Sequence, residues 1–278
     1  MMSRSARSSR RMLRAAGAGA AALLALSACS SSGSDSSPRS SQGSSASSGA
    51  SGAVSGEVTV FAAASLKDGF TALGKEFEKE HPGAKVTFSF GGSDSLAAGI
   101  IGGAPADVFA SASWQTMRTV TDRGEAAGTP VTFVRNRLEI ATLPGNPDHL
   151  SSLKDLATSG LKVVLCARTV PCGAAAQQAL DAGGVRVTPV SYEQDVKSAL
   201  NKVVLKEADA ALVYRTDVQA AGGTVEGVDF PESAKAVNDY PIVRLKHAKN
   251  AATADAFIAL VRSAEGRKVL GEAGFLTP

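Results

Sequence analysis

Short hydrophobic runs alternate with amphipathic stretches along residues 57–278. Such runs, bounded by Gly, Pro, Asp or Ser, predict buried strands, and apolar residues spaced three or four apart predict helices between them. This alternation favours an α/β fold with largely parallel sheets, and the length suits one large or two small domains. The first predicted strand begins at Val58, and the others are Val86–Phe90, Ala106–Ala110, Leu138–Leu143, Leu161–Leu165, Ala210–Tyr214 and Ile242–Leu245.

The first strand leads directly into a predicted helix. Ser65 and Asp68 fit a capping box, in which a serine at the N-cap is followed three residues later by a carboxylate. His81–Gly83 ends the helix. A helix N-terminus with a hydroxyl offers free donors to an anion, although an ordinary N-cap would show the same pattern. The buried face of this helix is predicted to consist of Leu66, Phe70, Leu73 and Phe77.

The same arrangement recurs after the second strand. Gly91–Ser95 precedes the helical stretch Leu96–Ile101, and Ser93 takes the position that Ser65 has at the first junction. The glycines let the backbone approach a ligand closely. The stretch lacks the Gly-Lys-Ser/Thr of a phosphate-binding loop and the glycine after the serine of a nucleophile elbow. It therefore predicts either an ordinary turn or a second anion donor.

Three further donors lie at comparable junctions later in the chain. Cys172 falls at the start of a predicted helix, so its N–H is expected to be free. Asp195 fits an N-cap and leaves the N–H of Val196 at the mouth of the next helix. Tyr214 ends a buried strand, where a phenol can donate to a ligand or simply pack. Ligands of α/β folds bind at the carboxyl ends of strands, so all five positions suit one site.

Residues 1–28 have the pattern of an export signal. A segment with five arginines precedes an apolar stretch that is too short to span a bilayer. Leu26–Cys29 resembles the lipobox of bacterial lipoproteins, which predicts a lipid on Cys29 and an anchor at the outer face of the cell membrane. Ser9–Arg11 loosely resembles a twin-arginine signal, so both the Sec and the twin-arginine export routes stay open. Residues 29–56 are Ser/Gly-rich and predict a flexible tether.

The charge of the exported chain excludes one class of partner. The full chain has 29 Lys and Arg against 26 Asp and Glu, but the signal contains five arginines and no acidic residue. The remainder carries 24 basic against 26 acidic side chains, a formal net charge of −2. No basic excess is left to attract nucleic acid.

Two cysteines remain besides Cys29. Cys166 and Cys172 lie six residues apart in an exported domain, which favours a disulfide between them; the alternative is two separate buried thiols. Their spacing fits no zinc motif, and the three histidines are scattered singly. No residue is therefore expected to ligate a metal directly.

Four motifs together resemble the periplasmic molybdate-binding proteins of ATP-binding-cassette importers. The resemblance covers about residues 57–278 and departs from the familiar form at two places. Gly91–Gly92 replaces small Ala or Ser residues, and Cys172 stands where Ala is frequent, a change that a backbone donor tolerates. The motifs are Phe61–Leu66, Gly102–Phe109, Asp195–Val196 and Leu212–Tyr214.

The resemblance implies a type II-like periplasmic-binding-protein fold. Two α/β lobes would be joined by two crossing strands, with the ligand cleft between the lobes. Lobe one would comprise 57–135 plus 237–278, and lobe two would comprise 136–236. Closure on a ligand would hinge at the crossings near Arg135 and Asn238.

The resemblance also implies a binding protein without a cofactor rather than an enzyme. It would capture molybdate, and tungstate as well, and deliver the anion as a monomer to the membrane permease of an ATP-binding-cassette importer. Molybdenum would be held as molybdate, through its oxygens, because converging N–H and O–H dipoles can bind a dianion without counter-charges. The donors would be the hydroxyls of Ser65, Ser93 and Tyr214 and the backbone N–H groups of Cys172 and Val196.

Two alternatives stay open at this point. The ligand could be another oxyanion, such as sulfate, phosphate or a carboxylate. From a different class, the chain could be a tethered serine hydrolase with Ser65 or Ser93 as the nucleophile. That activity needs a histidine base oriented by a carboxylate, and although His149 follows Asp148, nothing in the sequence places it near either serine.

Overall fold

The computed structural model describes residues 54–278. The predicted signal at 1–28, the lipidation of Cys29 and the tether as far as residue 53 lie outside this part of the chain.

The last residues of the predicted tether are bound to the folded domain. The N–H of Ser55 donates to Thr253 Oγ1 over 3.1 Å, and the hydroxyl of Thr253 donates back to the Ser55 carbonyl over 2.7 Å. The N–H of Gly56 donates to the Gly83 carbonyl over 2.7 Å. The folded part therefore begins before residue 57, because Ser55 and Gly56 are hydrogen-bonded to it.

Five strands form the first sheet. They are β1 (Gly56–Ala63), β2 (Ala84–Gly91), β3 (Val108–Ala110), β4 (Val131–Asn136) and β10 (Asn238–Arg244). Their order is β2-β1-β3-β10-β4. Strand β1 runs parallel to β2 and β3, whereas β10 runs antiparallel to β3 and β4.

Five further strands form the second sheet. They are β5 (Leu138–Thr142), β6 (Val163–Cys166), β7 (Ser191–Glu193), β8 (Ala210–Tyr214) and β9 (Glu226–Val228). Their order is β7-β6-β8-β5-β9. Strand β6 runs parallel to β7 and β8, whereas β5 runs antiparallel to β8 and β9.

Both sheets are mixed, so the expectation of largely parallel sheets is only partly right. The chain passes from the first sheet to the second between Asn136 and Leu138 and returns to the first sheet at Asn238. The two strands that follow these crossings, β5 and β10, are the antiparallel ones. Each of these strands follows a connection from the other sheet. Parallel neighbours are joined by a crossover helix on the face of their own sheet, and β5 and β10 lack that connection. The predicted two-lobed fold with two crossings is confirmed.

Helices cover the sheets. They are α1 (Lys67–Glu80), α2 (Ser93–Ile101), α3 (Trp114–Thr121), α4 (Pro171–Gly183), α5 (Val196–Val204), α6 (Arg215–Ala220), α7 (Ala251–Arg262) and α8 (Ala264–Glu272). Short 3-10 turns lie at Ala64–Leu66, Leu153–Ala157 and Pro231–Lys235. Over residues 54–278, none of the helices has both the length and the apolarity needed to cross a bilayer.

Each sheet has its own hydrophobic core. In the first, the predicted face of α1 is fully buried, and the rings of Phe70 and Phe77 meet Phe257 edge-on at centroid distances of 5.9 and 5.6 Å. Burial of each such side chain stabilises the fold by about 1.5–3 kcal/mol. In the second, Leu138 and Ile140 of β5 lie in a separate buried cluster. A third buried cluster, which includes Phe109 of β3 and Val243 of β10, lies on the other face of the first sheet, so each sheet has apolar packing of its own.

The predicted capping box at Ser65 is wrong. Ser65 lies inside the 3-10 turn, and α1 begins at Lys67 with no side-chain cap at its N-terminus. The Ser65 hydroxyl is instead hydrogen-bonded to the Tyr240 hydroxyl at 2.8 Å, and Asp68 accepts from Lys197 Nζ at 3.0 Å. Partners from distant parts of the chain thus replace the local hydrogen bonds of a capping box.

Candidate functional site

All five predicted donor residues line one small cavity between the two sheets. Ser65 and Ser93 reach it from the carboxyl ends of β1 and β2, and Cys172, Val196 and Tyr214 reach it from the second sheet. Each of the five residues is at most 4% exposed. The structure therefore brings together residues that the sequence placed at separate strand-to-helix junctions, and the cleft is closed over them.

The size of the cavity restricts what it can hold. Its volume is about 20 Å³. Sites for organic ligands are on the order of 300–1,000 Å³, and a single water needs roughly 10–15 Å³ by a comparable measure. The cavity therefore suits one compact ion.

Three α-helices begin at the cavity. Helix α2 begins at Ser93 and α4 at Pro171, and neither has a side-chain cap. Because Pro171 has no N–H, Cys172 provides the first backbone donor of α4. At α5 the Asp195 carboxylate accepts from Ser198 N at 3.0 Å, which leaves the N–H of Val196 unused. The free N–H groups and helix dipoles give the cavity a positive potential.

The two serine hydroxyls are oriented by neighbours that the sequence analysis missed. Ser93 Oγ accepts from Ala112 N at 3.0 Å, so its own hydrogen remains available to a ligand. Asn136 Nδ2 lies 3.4 Å from Tyr240 Oη as its donor, and Tyr240 Oη lies 2.8 Å from Ser65 Oγ. If Tyr240 accepts from Asn136 and donates to Ser65, the hydrogen of Ser65 is left to point towards the cavity. Asn136 and Tyr240 stand on the crossing strands, which gave no sequence signal of a site.

Tyr214 is a predicted donor that is almost completely enclosed. It is 1% exposed, and its ring packs edge-on against Tyr240 at a centroid distance of 6.0 Å. Its hydroxyl makes no hydrogen bond of regular geometry with any residue of 54–278. Burial raises the pKa of Tyr214 well above its ordinary value of 10.0. The phenol therefore stays protonated at neutral pH and can act as a donor.

Among residues 54–278, no lysine or arginine is part of the lining of this cavity. Asp195 is the one acidic residue that the described part of the chain contributes to the lining, and its two carboxylate oxygens accept from the N–H and the hydroxyl of Ser198 at 3.0 and 2.8 Å. Arg215 lies elsewhere, with Nε 3.7 Å from Glu139 Oε1. The cavity therefore offers neutral donors, a chemistry that suits an anion without its needing a counter-ion.

An ion-pair cluster beside the cavity was also missed by the sequence analysis. Lys197 Nζ lies 3.0 Å from Asp68 Oδ2 and 3.2 Å from Asp217 Oδ1. Burial raises the pKa of Asp217 to about 6, against the opposing effect of the Lys197 charge. These charges come from three helices far apart in sequence, so no local spacing could have indicated the cluster.

Cys166 and Cys172 form a disulfide at the start of α4, with their Cα atoms 5.8 Å apart. The turn between them folds tightly against the helix. A Cβ at position 173 would collide with the carbonyl oxygen of Ala167, so Gly173 is required there. The disulfide and this close packing hold the turn that presents the Cys172 N–H.

Neither hydrolase nor metal-ligand chemistry has support at the site. His149 is not among the residues that line the cavity, and no other histidine is. A serine nucleophile would therefore lack its base. Within residues 54–278 no group of three or more His, Cys, Asp or Glu side chains could hold a metal ion.

Comparisons with known proteins agree with this fold. Residues 58–276 match the family described as bacterial extracellular solute-binding proteins. The molybdate-binding protein ModA of Mycobacterium tuberculosis is 44% identical over 221 residues, covering 80% of this chain and 85% of that protein. ModA of Escherichia coli is 31% identical over 233 residues, covering 80% of this chain and 90% of that protein.

A solved structure shows the same architecture. The periplasmic molybdate-binding protein of Azotobacter vinelandii superposes with a TM-score of 0.70 at 23% identity, covering 80% of this chain and 99% of that one. At this identity the likeness concerns the fold. Together with the family match over nearly all described residues, it shows that the chain belongs to the bacterial extracellular solute-binding proteins.

Proposed function

We propose that this protein captures molybdate outside the cytoplasm and delivers it to the membrane permease of an ATP-binding-cassette importer. The observation that carries the proposal is the closed cavity of about 20 Å³ in which five neutral donors meet without a cation. The relatives named as molybdate-binding proteins, at 44% and 31% identity, support the same ligand.

The chemistry of the donors favours a fully deprotonated tetrahedral dianion. Ser65, Ser93 and Tyr214 would donate O–H groups, and Cys172 and Val196 would donate backbone N–H groups. An oxyanion that still carries a proton at neutral pH, such as hydrogen phosphate, needs an acceptor in its site. The carboxylate of Asp195 already accepts two hydrogen bonds from Ser198 and so has fewer acceptor sites left for such a proton. Molybdate and tungstate carry no such proton and therefore need no acceptor in the site.

Other parts of the proposal concern the whole protein. Lobe one is taken as 57–135 plus 237–278 and lobe two as 136–236. Tungstate is proposed as a second ligand, and no cofactor is proposed. A lipid on Cys29 would anchor a monomeric protein at the outer face of the membrane, beside its permease. Mass spectrometry of the membrane form tests the lipid: an unmodified Cys29 would contradict it.

Calorimetry with a panel of oxyanions tests the ligand. The protein is a secreted form of residues 30–278, which lacks the lipidated cysteine, and the panel is molybdate, tungstate, sulfate and phosphate. We expect tight one-to-one binding of molybdate and tungstate and much weaker binding of the other two. Sulfate is the second candidate, because it too is a fully deprotonated dianion, and tighter binding of sulfate than of molybdate would replace the proposal.

A further inference from the structure

Lys197 connects the two lobes beside the cavity. It is the second residue of α5, directly after Val196, and its partner Asp68 lies in the first turn of α1 on the other lobe. Lys197 Nζ lies 3.0 Å from Asp68 Oδ2 and 3.2 Å from Asp217 Oδ1, the latter within its own lobe. One ammonium group therefore bridges a carboxylate from each side of the cleft.

The three side chains of this cluster differ in how far they are buried. Asp217 is fully buried, Lys197 is 24% exposed and Asp68 is 56% exposed. Burial alone lowers the pKa of Lys197, but the charges of Asp217 and Asp68 outweigh this effect and raise it above its ordinary value. If the cleft opens, Asp68 can return to water while Lys197 stays paired with Asp217. The contact across the cleft can therefore break without leaving a buried charge alone.

The same cluster supports two of the cavity donors. Asp217 Oδ2 accepts from the backbone N–H of Tyr214 at 3.2 Å, and Val196 precedes Lys197 in the chain. Lys197 thus holds Asp217, which in turn fixes the strand end that carries Tyr214. Lys197 therefore contacts lobe one and also belongs to the network that positions Tyr214 and Val196.

We propose that Lys197, Asp68 and Asp217 form an ion-pair latch, which engages when the lobes close and slows release of the bound anion. Lys197 and Asp217 are positioning residues and are not themselves donors to the ligand. The inference rests on the proposed function, since the latch acts on whatever anion the cavity holds.

The first test replaces Asp68 with Asn in the secreted form of residues 30–278. Trp114, the single tryptophan of the chain, lies on the cleft at a cavity lined also by Pro171 of the other lobe, so its fluorescence can report closure. In stopped-flow experiments Asp68→Asn should release molybdate about 1.5- to 5-fold faster, with little change in the association rate. Added salt should speed release from the wild type more than from the variant.

The matched control is Glu80→Gln. Glu80 is at the opposite end of α1, exposed, and in no ion pair within residues 54–278. It should release the anion at the wild-type rate. Equal release rates for the wild type, Glu80→Gln and a folded Asp68→Asn variant would overturn the latch.

A charge-neutral pair tests the buried half of the latch. Lys197→Gln alone strands the Asp217 carboxylate and should lower the melting temperature, whereas Lys197→Gln with Asp217→Asn replaces both charges by amides and should recover much of it. This double variant should still release the anion quickly, and Asp68→Asn should add no further effect to it. Additive effects would show that Asp68 acts independently of Lys197, which would overturn the latch.

The kinetic comparison uses whichever panel anion the wild type binds. Failure to bind molybdate, with binding of sulfate, would overturn the proposed ligand and leave the latch to be judged on sulfate release. A wild type that binds none of the four anions would overturn both the proposed function and the latch.

Discussion

At the scale of single residues, the site depends on hydroxyl groups whose hydrogens are directed by their neighbours. Ala112 N occupies an acceptor position of Ser93, and Tyr240 lies between Asn136 and Ser65. Because Ser93 accepts from Ala112, its own hydrogen stays available to a ligand, and the Ser65 hydrogen does so as well when Ser65 accepts from Tyr240. Donors arranged in this way are oriented before the ligand arrives, which lowers the ordering cost of binding.

Replacement of either serine should therefore weaken binding strongly. Ser65→Ala or Ser93→Ala removes one donor to a charged group, worth about 1.5–3 kcal/mol, or roughly 10- to 150-fold in the dissociation constant for molybdate. Calorimetry on the secreted form measures this change. Ser95→Ala is the control, because Ser95 lies in the same helix as Ser93 but is exposed. Parental affinity in Ser65→Ala would mean that the site is misplaced.

Gly92 is a residue whose lack of a side chain matters for closure. A Cβ at this position would lie 2.5 Å from the carbonyl oxygen of Gln194 in the other lobe and 2.8 Å from Asp94 Oδ1. A backbone atom cannot move aside as a flexible side chain would. Gly92→Ala should therefore hold the lobes slightly apart and lower the affinity for molybdate at least several-fold.

Gly99→Ala provides the comparison for this prediction. Gly99 belongs to α2, and a Cβ there would meet Ala104 and Phe61 only at an ordinary 3.7 Å. Alanine also favours a helix interior over glycine by about 1 kcal/mol, so this variant should fold and bind like the parent. If Gly92→Ala binds as tightly as Gly99→Ala, the closed contact with Gln194 is not needed for binding.

At the scale of elements, the site is built from the beginnings of helices. Helices α2, α4 and α5 each direct an N-terminus at the cavity, and the turn before α4 is fixed by the Cys166–Cys172 disulfide. An uncapped helix N-terminus is an effective anion donor only if the preceding turn is held in place. The covalent link provides this at α4, which begins with Pro171.

Removal of the disulfide should affect binding more than folding. The Cys166→Ser/Cys172→Ser variant loses a short loop closure, which costs about 2 kcal/mol on the chain-entropy model and lowers the melting temperature by roughly 4–8 °C. It should bind molybdate more weakly, mainly through faster release, because the turn that presents the Cys172 N–H is no longer held.

Reduction of the wild type gives an independent check on the disulfide prediction. Mild reductant should reproduce the release rate of the double variant and leave the variant itself unchanged. Thiol titration of the denatured, unreduced fragment should find no free thiol. Two free thiols per chain would show that the bridge does not form in the exported protein.

At the scale of the whole molecule, two separately cored sheets are joined by the crossings after Asn136 and before Asn238. The cavity lies between these sheets, and its donors come from both of them. The five residues are almost completely buried in the closed arrangement, so the lobes must separate to admit or release an anion. Rotation about the two crossings would achieve this separation without disturbing either core.

Solution scattering should therefore detect closure. The secreted form should have a smaller radius of gyration in saturating molybdate than without it, because the lobes move together. Addition of the same concentration of chloride controls for ionic strength. An unchanged radius at saturation, with binding shown by calorimetry, would contradict closure by hinge motion.

Local patterns in the sequence determined much of the site. Two of the predicted donor positions follow from residues close to them in the chain: Val196 follows the N-cap Asp195, and Tyr214 ends a strand of five buried residues. Helix starts and strand ends are set by short-range sterics and hydrogen bonds, so they can be predicted from neighbours in the chain. The α/β class follows from the same periodicity.

Only the tertiary structure decided which groups meet. Ser65 bonds to Tyr240, 175 residues away, rather than closing a capping box, and Lys197 pairs with Asp68, 129 residues away. The antiparallel strands β5 and β10 likewise depend on the route of the chain between sheets. Periodicity along a chain carries no information about such distances, because a buried polar group takes whichever partner packing brings within reach. Sequence alone therefore predicted residues that share one cavity, while folding supplied the neighbours that surround them.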